Sequence, residues 1–461
     1  MRAARLLYLV LVLSAALIAC KKDGPANSGN TGGQADSLTA NTLANRVKDS
    51  SLAYARDIYL WYSQIPASFN PRTYADPNAI MRAIRAFSRE PGFTDPVDRW
   101  SFAALKRDWD NVSAGIAQDF GLYVFFRAEG DLRVRLVERN SPAEAAGIRR
   151  GWRVRSINGN SSLSTANANA IIQAVYQSAS TRFRFERADG TETDITLNAA
   201  TYSSQPVLLD SIYTAGSRRL GYLVFNSFLG DTSRIFADFE RIFNRWAAAG
   251  VSEVAIDLRY NGGGFVHVQR KLANWLAPTG ANGQVLMSQQ FNDRYTRFNE
   301  TWRFQKLGSL QLSRLFFVVS GSTASASEML INNMRPHLDV RIVGPAASFG
   351  KPVGYFPIPV GDWYVFPVSI RSTNSTGQGN YFTGFAPDRV TADEIDKDWG
   401  RSDEACLAAI LRFVGTGTFG AAFRDPQLGT ATQLQVGRAN QGLEGPRFNG
   451  AVSWPPATPL R

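Results

Sequence analysis

Residues Ser320–Leu330 read SGSTASASEML, and Leu315–Val319 directly before them read LFFVV. A β-branched and aromatic run, a break of small residues and the helical start EMLINNM predict a strand, a tight turn and a helix. Hydroxyl groups then sit at the first turn of a helix, where backbone N–H groups lack intrahelical partners and the dipole is positive. Two readings fit Ser325. With Glu328 it has the S-x-x-E spacing of a capping box, in which it only starts the helix. It can instead be a nucleophile whose neighbouring N–H groups hold an oxyanion. This stretch alone does not decide between them.

Working outward, Val254–Leu258 (VAIDL) predicts a buried strand, followed by Arg259-Tyr260-Asn261-Gly262-Gly263-Gly264 and a helix over Val266–Leu276. Leu220–Phe228 predicts another strand and Ser233–Ala249 an amphipathic helix. Strand, loop and helix in repetition are the grammar of a layered α/β domain. The glycine loop lacks GxxxxGK[ST] spacing and the nearest lysine, Lys271, lies well inside a helix, which argues against nucleotide binding. The loop is either a bare tight turn or a place where backbone N–H groups approach a reacting carbonyl. Downstream come a strand at Val340–Val343, Phe349-Gly350-Lys351, a strand at Trp363–Ile370, a turn at Gly384–Asp388 and a helix at Glu404–Phe413. A lysine in a glycine turn is ordinarily solvated. Lys351 has apolar neighbours, Phe349, Val353, Tyr355 and Phe356, and burial among them would lower its pKa and let it act as a base.

Residues 113–200 are of another kind. Leu132–Glu138 alternates as a half-buried strand does, and Ser141–Gly159, SPAEAAGIRRGWRVRSING, resembles the signature of a PDZ domain. The resemblance implies a groove helix at Ala166–Gln177, peptide addition to a sheet edge, and a terminal carboxylate held by backbone N–H groups of Phe120, Gly121, Leu122 and Tyr123. The module can also be a lid with no bound chain end. Residues 37–112 predict a helical domain, with Pro66 ending its first long helix and AIMRAIRAF (Ala79–Phe87) forming a second.

At the amino terminus Arg2 and Arg5 precede the apolar run Leu6–Ala19, too short for a comfortable membrane span and suited to an export signal. The ending Leu17-Ile18-Ala19-Cys20 resembles a bacterial lipoprotein signal, which implies lipidation of Cys20 and residues 1–20 as signal peptide. Residues 21–36 are a Gly/Ser/Asn-rich tether, and Lys21 in place of Asp favours the outer membrane. With Cys20 acylated only Cys406 remains, so no intrachain disulfide is expected. Hydrophobic content of 44% fits a globular class, while the net charge of +11 is spread along the chain and mostly Arg, against nucleic-acid binding. No metal-ligand cluster or cofactor motif appears in the sequence. From Gly415 to Arg461 the composition turns to Gly, Ala, Pro, Gln and Thr without apolar period, and a flexible tail is expected.

The order of PDZ unit, LRYNGGG, SGSTASASE and FGK resembles the carboxy-terminal processing peptidases, or tail-specific proteases, over about Asp36–Val414. The resemblance implies a multidomain α+β fold with a layered, crotonase-like protease core over 201–414. Carried over by motif, Ser325 is the nucleophile and Lys351 the general base, and Ser322 and Ser327 fall off the pattern. The N–H groups of Ala326 and Gly263 become the oxyanion donors. Relatives commonly have FGKGxVQ, with a Gln that orients the lysine. This chain reads FGKPVGY, which puts Tyr355 there as the candidate orienting residue, and NGGG replaces NPGG. A Ser-His arrangement would have only His267 or His337 to use. The expected protein is a lipid-anchored serine endopeptidase of the periplasm that takes protein or peptide substrates by their C-terminal ends, with an adaptor lipoprotein left open. The alternative is an inactive peptide-binding scaffold, and a hydrolase of wall peptides would share the same residues.

Overall fold

The run LFFVV becomes the middle of a six-stranded sheet. Strand Arg314–Val318 lies between Glu253–Asp257 and Asp339–Gly344, with Arg218–Phe225 next in line, all parallel. Val207–Ala215 closes one edge antiparallel and Arg389–Val390 the other edge parallel. Inner strands of such a sheet are covered on both faces and need unbroken apolar runs. Leu315, Phe316, Phe317 and Val318 are accordingly all inaccessible to solvent. The structure, a computed structural model, describes residues 42–420, 431–444 and 450–453.

Helices Thr232–Ala248, Val266–Leu276 and Ala326–Met334 cover one face of this sheet around Phe239, Ile242, Trp246, Leu272 and Leu330. Helix Ala405–Thr416 covers the other, setting Leu407, Ile410 and Phe413 against Tyr222, Phe316 and Val318. The register aligns Asp257, Val318 and Val343. The loops after these three neighbouring strand ends are the glycine loop, the serine loop and the Lys351 loop. Ligands of parallel α/β sheets gather at such carboxyl ends, so topology alone brings the three motifs together.

The helical unit, with Leu43–Ile58 and Pro77–Ile84, does not have a core of its own. Its Tyr59, Trp61 and Trp100 share one cluster with Tyr355, Phe356 and Phe366. Strand Phe102–Leu105 pairs antiparallel with Trp363–Phe366. The single strand expected at Trp363–Ile370 is corrected to two: Trp363–Phe366 stays in that sheet, and Ile370–Asn374 pairs with Val285–Gln290 in a different one. Pro367, which cannot donate to a ladder, stands between them.

The PDZ unit is a five-stranded sheet in the order Leu122–Ala128, Asp131–Val137, Arg153–Ile157, Ser180–Glu186 and Glu192–Asn198. The groove helix is Ala168–Ile172, continued by a wider turn over Gln173–Gln177. Paired strands Ile116–Asp119 and Ala200–Ser203 form its stem. Arg150 of this unit is buried and donates to the Arg135 and Lys397 carbonyls, to Tyr260 Oη at 2.8 Å and to Asp393 at 2.9 Å. Arg259 of the core reaches the same Asp393, along with Asp257 and Glu404. Burial pushes the Asp393 carboxyl up, but Arg150 and Arg259 outweigh it and hold its pKa well below the usual range.

The flexible tail expected over 415–461 is corrected in three places. Helix Ala405–Thr416 continues past its start to a left-handed Gly417, and residues 431–442 form a helix while Gly450–Val452 forms a buried strand. Neither of the last two has an apolar period of its own. Both take their order from surfaces far away in sequence.

Replacing Arg259 by Met leaves Asp257, Asp393 and Glu404 short of their counter-charge. Urea unfolding at neutral pH is expected to show a loss of about 3–5 kcal/mol. The part of the network's stability carried by Asp393 is present above its unfolded pKa of about 3.9 and fades as pH falls below that value.

Candidate active site

Ser325 is where strand Arg314–Val318 and its loop turn into helix Ala326–Met334. It has φ 61° and ψ −106°, an uncommon region for any residue with a Cβ and worth about 1–3 kcal/mol of strain. The surrounding loop is pinned so that this strain persists. Ala324 N–H and Ser327 Oγ both donate to the Asn261 carbonyl at 3.0 Å, and Thr323 Oγ1 donates to the Leu258 carbonyl. Ser325 Oγ is buried and has no hydrogen-bond partner among the described residues. Ser325 and Glu328 are arranged as a capping box in which Glu328 receives the Ser325 N–H at 2.8 Å, while the hydroxyl faces the Glu328 N–H without closing a hydrogen bond.

Glu328 does far more than start a helix. One of its oxygens accepts from the N–H of Ser325 and the N–H of Lys351, each at 2.8 Å. The other accepts from Gly350 N–H at 2.6 Å and Ser348 Oγ at 2.5 Å. Ser348 Oγ in turn receives the Phe385 N–H, which fixes it as a donor toward Glu328. Burial pushes the Glu328 carboxyl up, and the four donors oppose it by favouring the ionised form. A single buried oxygen thus ties together the backbones of the two residues that the motifs single out.

Lys351 is 1% exposed, and burial drives its pKa well below the ordinary value, against the pull of Asp98 and Glu328. Its Nζ stands 3.8 Å from the Tyr355 ring centroid and 5.9 Å from that of Trp100. Tyr355, the candidate orienting residue, presents its ring to the amine. A ring face attracts an ammonium, so Tyr355 fixes the position of the amine while partly opposing its neutralisation. Trp100 and Asp98 come from the helical unit. Asp98 is itself fully engaged with Tyr59 Oη, Ser101 Oγ and the N–H groups of Trp100 and Ser101. That this unit walls in the lysine was not readable from the sequence, because nothing in D-R-W-S marks a partner some 250 residues away.

Ala326 opens the helix, so its N–H is one of those a helix cannot satisfy internally. Gly263, the other expected oxyanion donor, gives its N–H to Asn261 Oδ1 at 2.9 Å. The expectation of an open donor there is corrected, since the loop is braced by its own asparagine. Gly263 nevertheless faces the first turn of the helix. A Cβ on it would stand 3.1 Å from the Ala326 nitrogen, and its φ of +105° suits glycine alone. Asn261, which also donates to the Phe225 carbonyl, joins the glycine loop to the serine loop. It lies inside LRYNGGG, where the sequence marks it only as a loop residue.

The PDZ loop also departs from expectation. Phe120 is a core residue, Leu122 and Tyr123 enter the edge strand, and Gly121 N–H donates to the Asp119 carboxylate at 2.7 Å. An anion already holds a donor expected for a substrate carboxylate, and a Cβ on Gly121 would strike Ser141 at 2.1 Å. His267 packs between the rings of Phe236 and Phe265, and His337 against Phe304 and Ser375. Ser327 is committed to Asn261, and Ser322 lies between Arg135 and Glu444. A cleft lined by Tyr123, Glu138, Asn226, Tyr260 and Gly262 opens where the PDZ unit meets the glycine loop. Cys20 and the apolar run before it lie outside the described residues, and no helix among those residues is long and apolar enough to cross a membrane.

A strained serine at a helix start, a desolvated lysine tied to it and a PDZ unit beside the glycine loop define the class of PDZ-containing serine peptidase folds. Residues 219–391 match peptidase family S41, residues 47–102 the peptidase S41 N-terminal domain, and residues 133–187 a PDZ domain. These matches identify a peptidase family S41 core, the family's N-terminal domain and a PDZ domain within the chain. It is similar to the chloroplastic C-terminal processing peptidase of Tetradesmus obliquus, 24% identical over 310 residues, which are 64% of this chain and 62% of that one. It is also similar to a "Probable CtpA-like serine protease" of Staphylococcus aureus (strain bovine RF122 / ET3-1), 24% identical over 259 residues, 56% of this chain and 49% of the relative. The chain thus spans about half to three-fifths of the length of these relatives. A solved candidate S41 protease from Bacteroides fragilis NCTC 9343 shares the fold, with a TM-score of 0.65 and 23% identity over 80% of this chain and 97% of that one.

In Glu328→Gln an amide N–H₂ faces backbone donors that now meet a carboxylate oxygen. Calorimetry is expected to show a loss of about 1–3 kcal/mol. Fluorophosphonate labelling of Ser325 should fall with it, because the serine and lysine loops lose their shared anchor.

Proposed function

We propose that this chain is a serine endopeptidase that works through a Ser325/Lys351 dyad and an acyl-enzyme. The observation that carries the reading is the Glu328 oxygen shared by the N–H groups of Ser325 and Lys351, beside a hydroxyl without a partner among the described residues and a lysine stripped of solvent. In this reading neutral Lys351 Nζ takes the Ser325 proton as Oγ attacks the substrate carbonyl. The Ala326 N–H and the glycine loop stabilise the oxyanion. Lys351 passes the proton to the leaving amine, and the ester is released by water whose proton takes the same route back to Ser325.

The substrate enters as an extended chain. The edge strand Leu122–Ala128 of the PDZ unit supports its role as receiver. Reception of a terminal carboxylate would require Gly121 N–H to leave Asp119. Arg2, Arg5, the apolar Leu6–Ala19 and Cys20 support export and a lipid anchor on a bacterial membrane, facing the periplasm. Metabolic labelling with radioactive palmitate, lost in Cys20→Ser, tests the anchor.

Ser325→Ala should lower cleavage of an unfolded test protein by more than about 10⁴-fold with an unchanged circular dichroism spectrum. Undiminished cleavage would point to another nucleophile, and no cleavage by either protein would leave the inactive-scaffold reading. Lys351→Met should be equally inactive yet no less stable at neutral pH. The sign follows from the depressed pKa: the unfolded chain binds a proton that the folded lysine resists, so burying Lys351 costs stability at neutral pH and the cost shrinks as pH rises. For the same reason cleavage should persist well below the pH at which an ordinary lysine is neutral, and fail as the medium becomes acidic.

A further inference from the structure

Residues 431–444 and 450–453 lie in the two places where an outside peptide would be taken. Strand Gly450–Val452 runs parallel to Gly263–Phe265 of the glycine loop, with Gly450 opposite Gly263 and the Gly450 N–H donating to the Gly262 carbonyl at 2.9 Å. On its other side Tyr355 N–H donates to the Ala451 carbonyl at 3.2 Å, and Ser453 N–H to the Tyr355 carbonyl at 3.0 Å. The strand is therefore held between the loop expected to face a scissile carbonyl and the residue whose ring carries Lys351. The Gly450 carbonyl oxygen and the Ala326 nitrogen both flank Gly263. A Cβ built on Gly263 would come 2.6 Å from that oxygen and 3.1 Å from that nitrogen. Ala451 and Val452 are buried.

Helix Ala431–Gly442 lies meanwhile along the PDZ groove, between edge strand Leu122–Ala128 and helix Ala168–Ile172. Val436 and Leu443 join the PDZ core. The Asn440 amide accepts from Phe126 N–H and donates to the Phe126 carbonyl, both at 2.8 Å. A side chain thus satisfies the strand-edge groups that an added β-strand would use. Tyr176 Oη, on the groove helix, donates to the Leu443 carbonyl, and Glu444 receives Ser322 Oγ in the serine loop.

We propose that residues 435–444 and 450–453 are a resident competitor: the chain's own segment fills the PDZ groove and the active-site strand position, and an outside peptide binds only as it leaves. The hold is of the kind that an outside peptide can displace. At the active site it is four residues with side chains no larger than valine, and at the PDZ edge one amide stands in for a full ladder. A peptide that adds a strand makes more main-chain bonds than either. The proposal rests on the peptidase reading only in naming the outside peptide as substrate; the occupancy itself concerns binding.

The test uses the full chain carrying Ser325→Ala, so that nothing is cleaved, and a fluorescein-labelled peptide GAVSWPP, the sequence of residues 450–456. Adding Ala451→Glu puts a charge into a buried apolar seat and should expel the strand. Anisotropy should then show peptide binding tightened by about tenfold or more, the factor by which self-occupancy lowers the competent fraction. Equal binding with and without Ala451→Glu overturns the proposal. Should Ala451→Glu lose its folded circular dichroism, Asn440→Ala in the same background loosens the PDZ hold without burying a charge, and the same two outcomes apply. With Ser325 intact, Ala451→Glu should hydrolyse a fluorogenic peptide about tenfold faster. Tighter binding with no hydrolysis in either protein supports the competitor and overturns the peptidase reading. Hydrolysis that is equal in both does the reverse. Mass spectrometry that finds chains with Ser325 cut within 450–453, and Ser325→Ala chains whole, makes the segment a substrate and overturns its role as competitor.

Discussion

The carboxylate of Glu328 is the point on which the site turns. Its two oxygens collect four donors from two loops that follow different strands of the parallel sheet. A buried carboxylate without such donors would protonate or draw in water. Here the need of a buried charge for partners and the need of two loops for a fixed distance are met by the same contacts. The strained backbone of Ser325 is held at one end of this arrangement and the desolvated Lys351 at the other.

Around that anchor the domains act as walls. The parallel sheet puts the three loops side by side, the helical unit contributes Trp100 and Asp98 to the surroundings of Lys351, and the PDZ unit is locked to the core by Arg150 reaching Asp393. The lock is ionic and buried, an arrangement valued more for a unique geometry than for stability. It fixes the orientation of the PDZ edge strand relative to the glycine loop. Residues 435–444 and 450–453 accordingly reach both.

Much of this was legible in the sequence, and the limits of legibility have physical causes. The core strands announced themselves as short apolar runs bounded by small residues, and the helix Val266–Leu276 by its period, because each is decided by which residues must be buried nearby. The S-x-x-E spacing of Ser325 and Glu328 located the anchor but suggested only a local role. The donors from Gly350, Lys351 and Ser348 come from another loop, and sequence spacing carries no record of them. Asn261 lay within a quoted motif yet its bracing of Gly263 depends on a backbone turn. Tyr355 was picked out by position, but whether it offers a hydroxyl or a ring face depends on side-chain direction. The segments at 431–443 and 450–453 are too polar to signal structure alone, and take it from surfaces elsewhere in the chain.

The wall around Lys351 bears on when the molecule acquires its chemistry. Trp100 and Glu328 meet the lysine from stretches distant in sequence and Tyr355 from its own loop, and the helical unit shares its apolar core with Tyr355. Until all have docked, Lys351 is an ordinary hydrated ammonium with no capacity to take a proton from a hydroxyl at neutral pH. In the proposed dyad, completion of the fold is thus the switch that arms Lys351 as a base, and a half-folded chain is chemically inert toward its neighbours and toward itself.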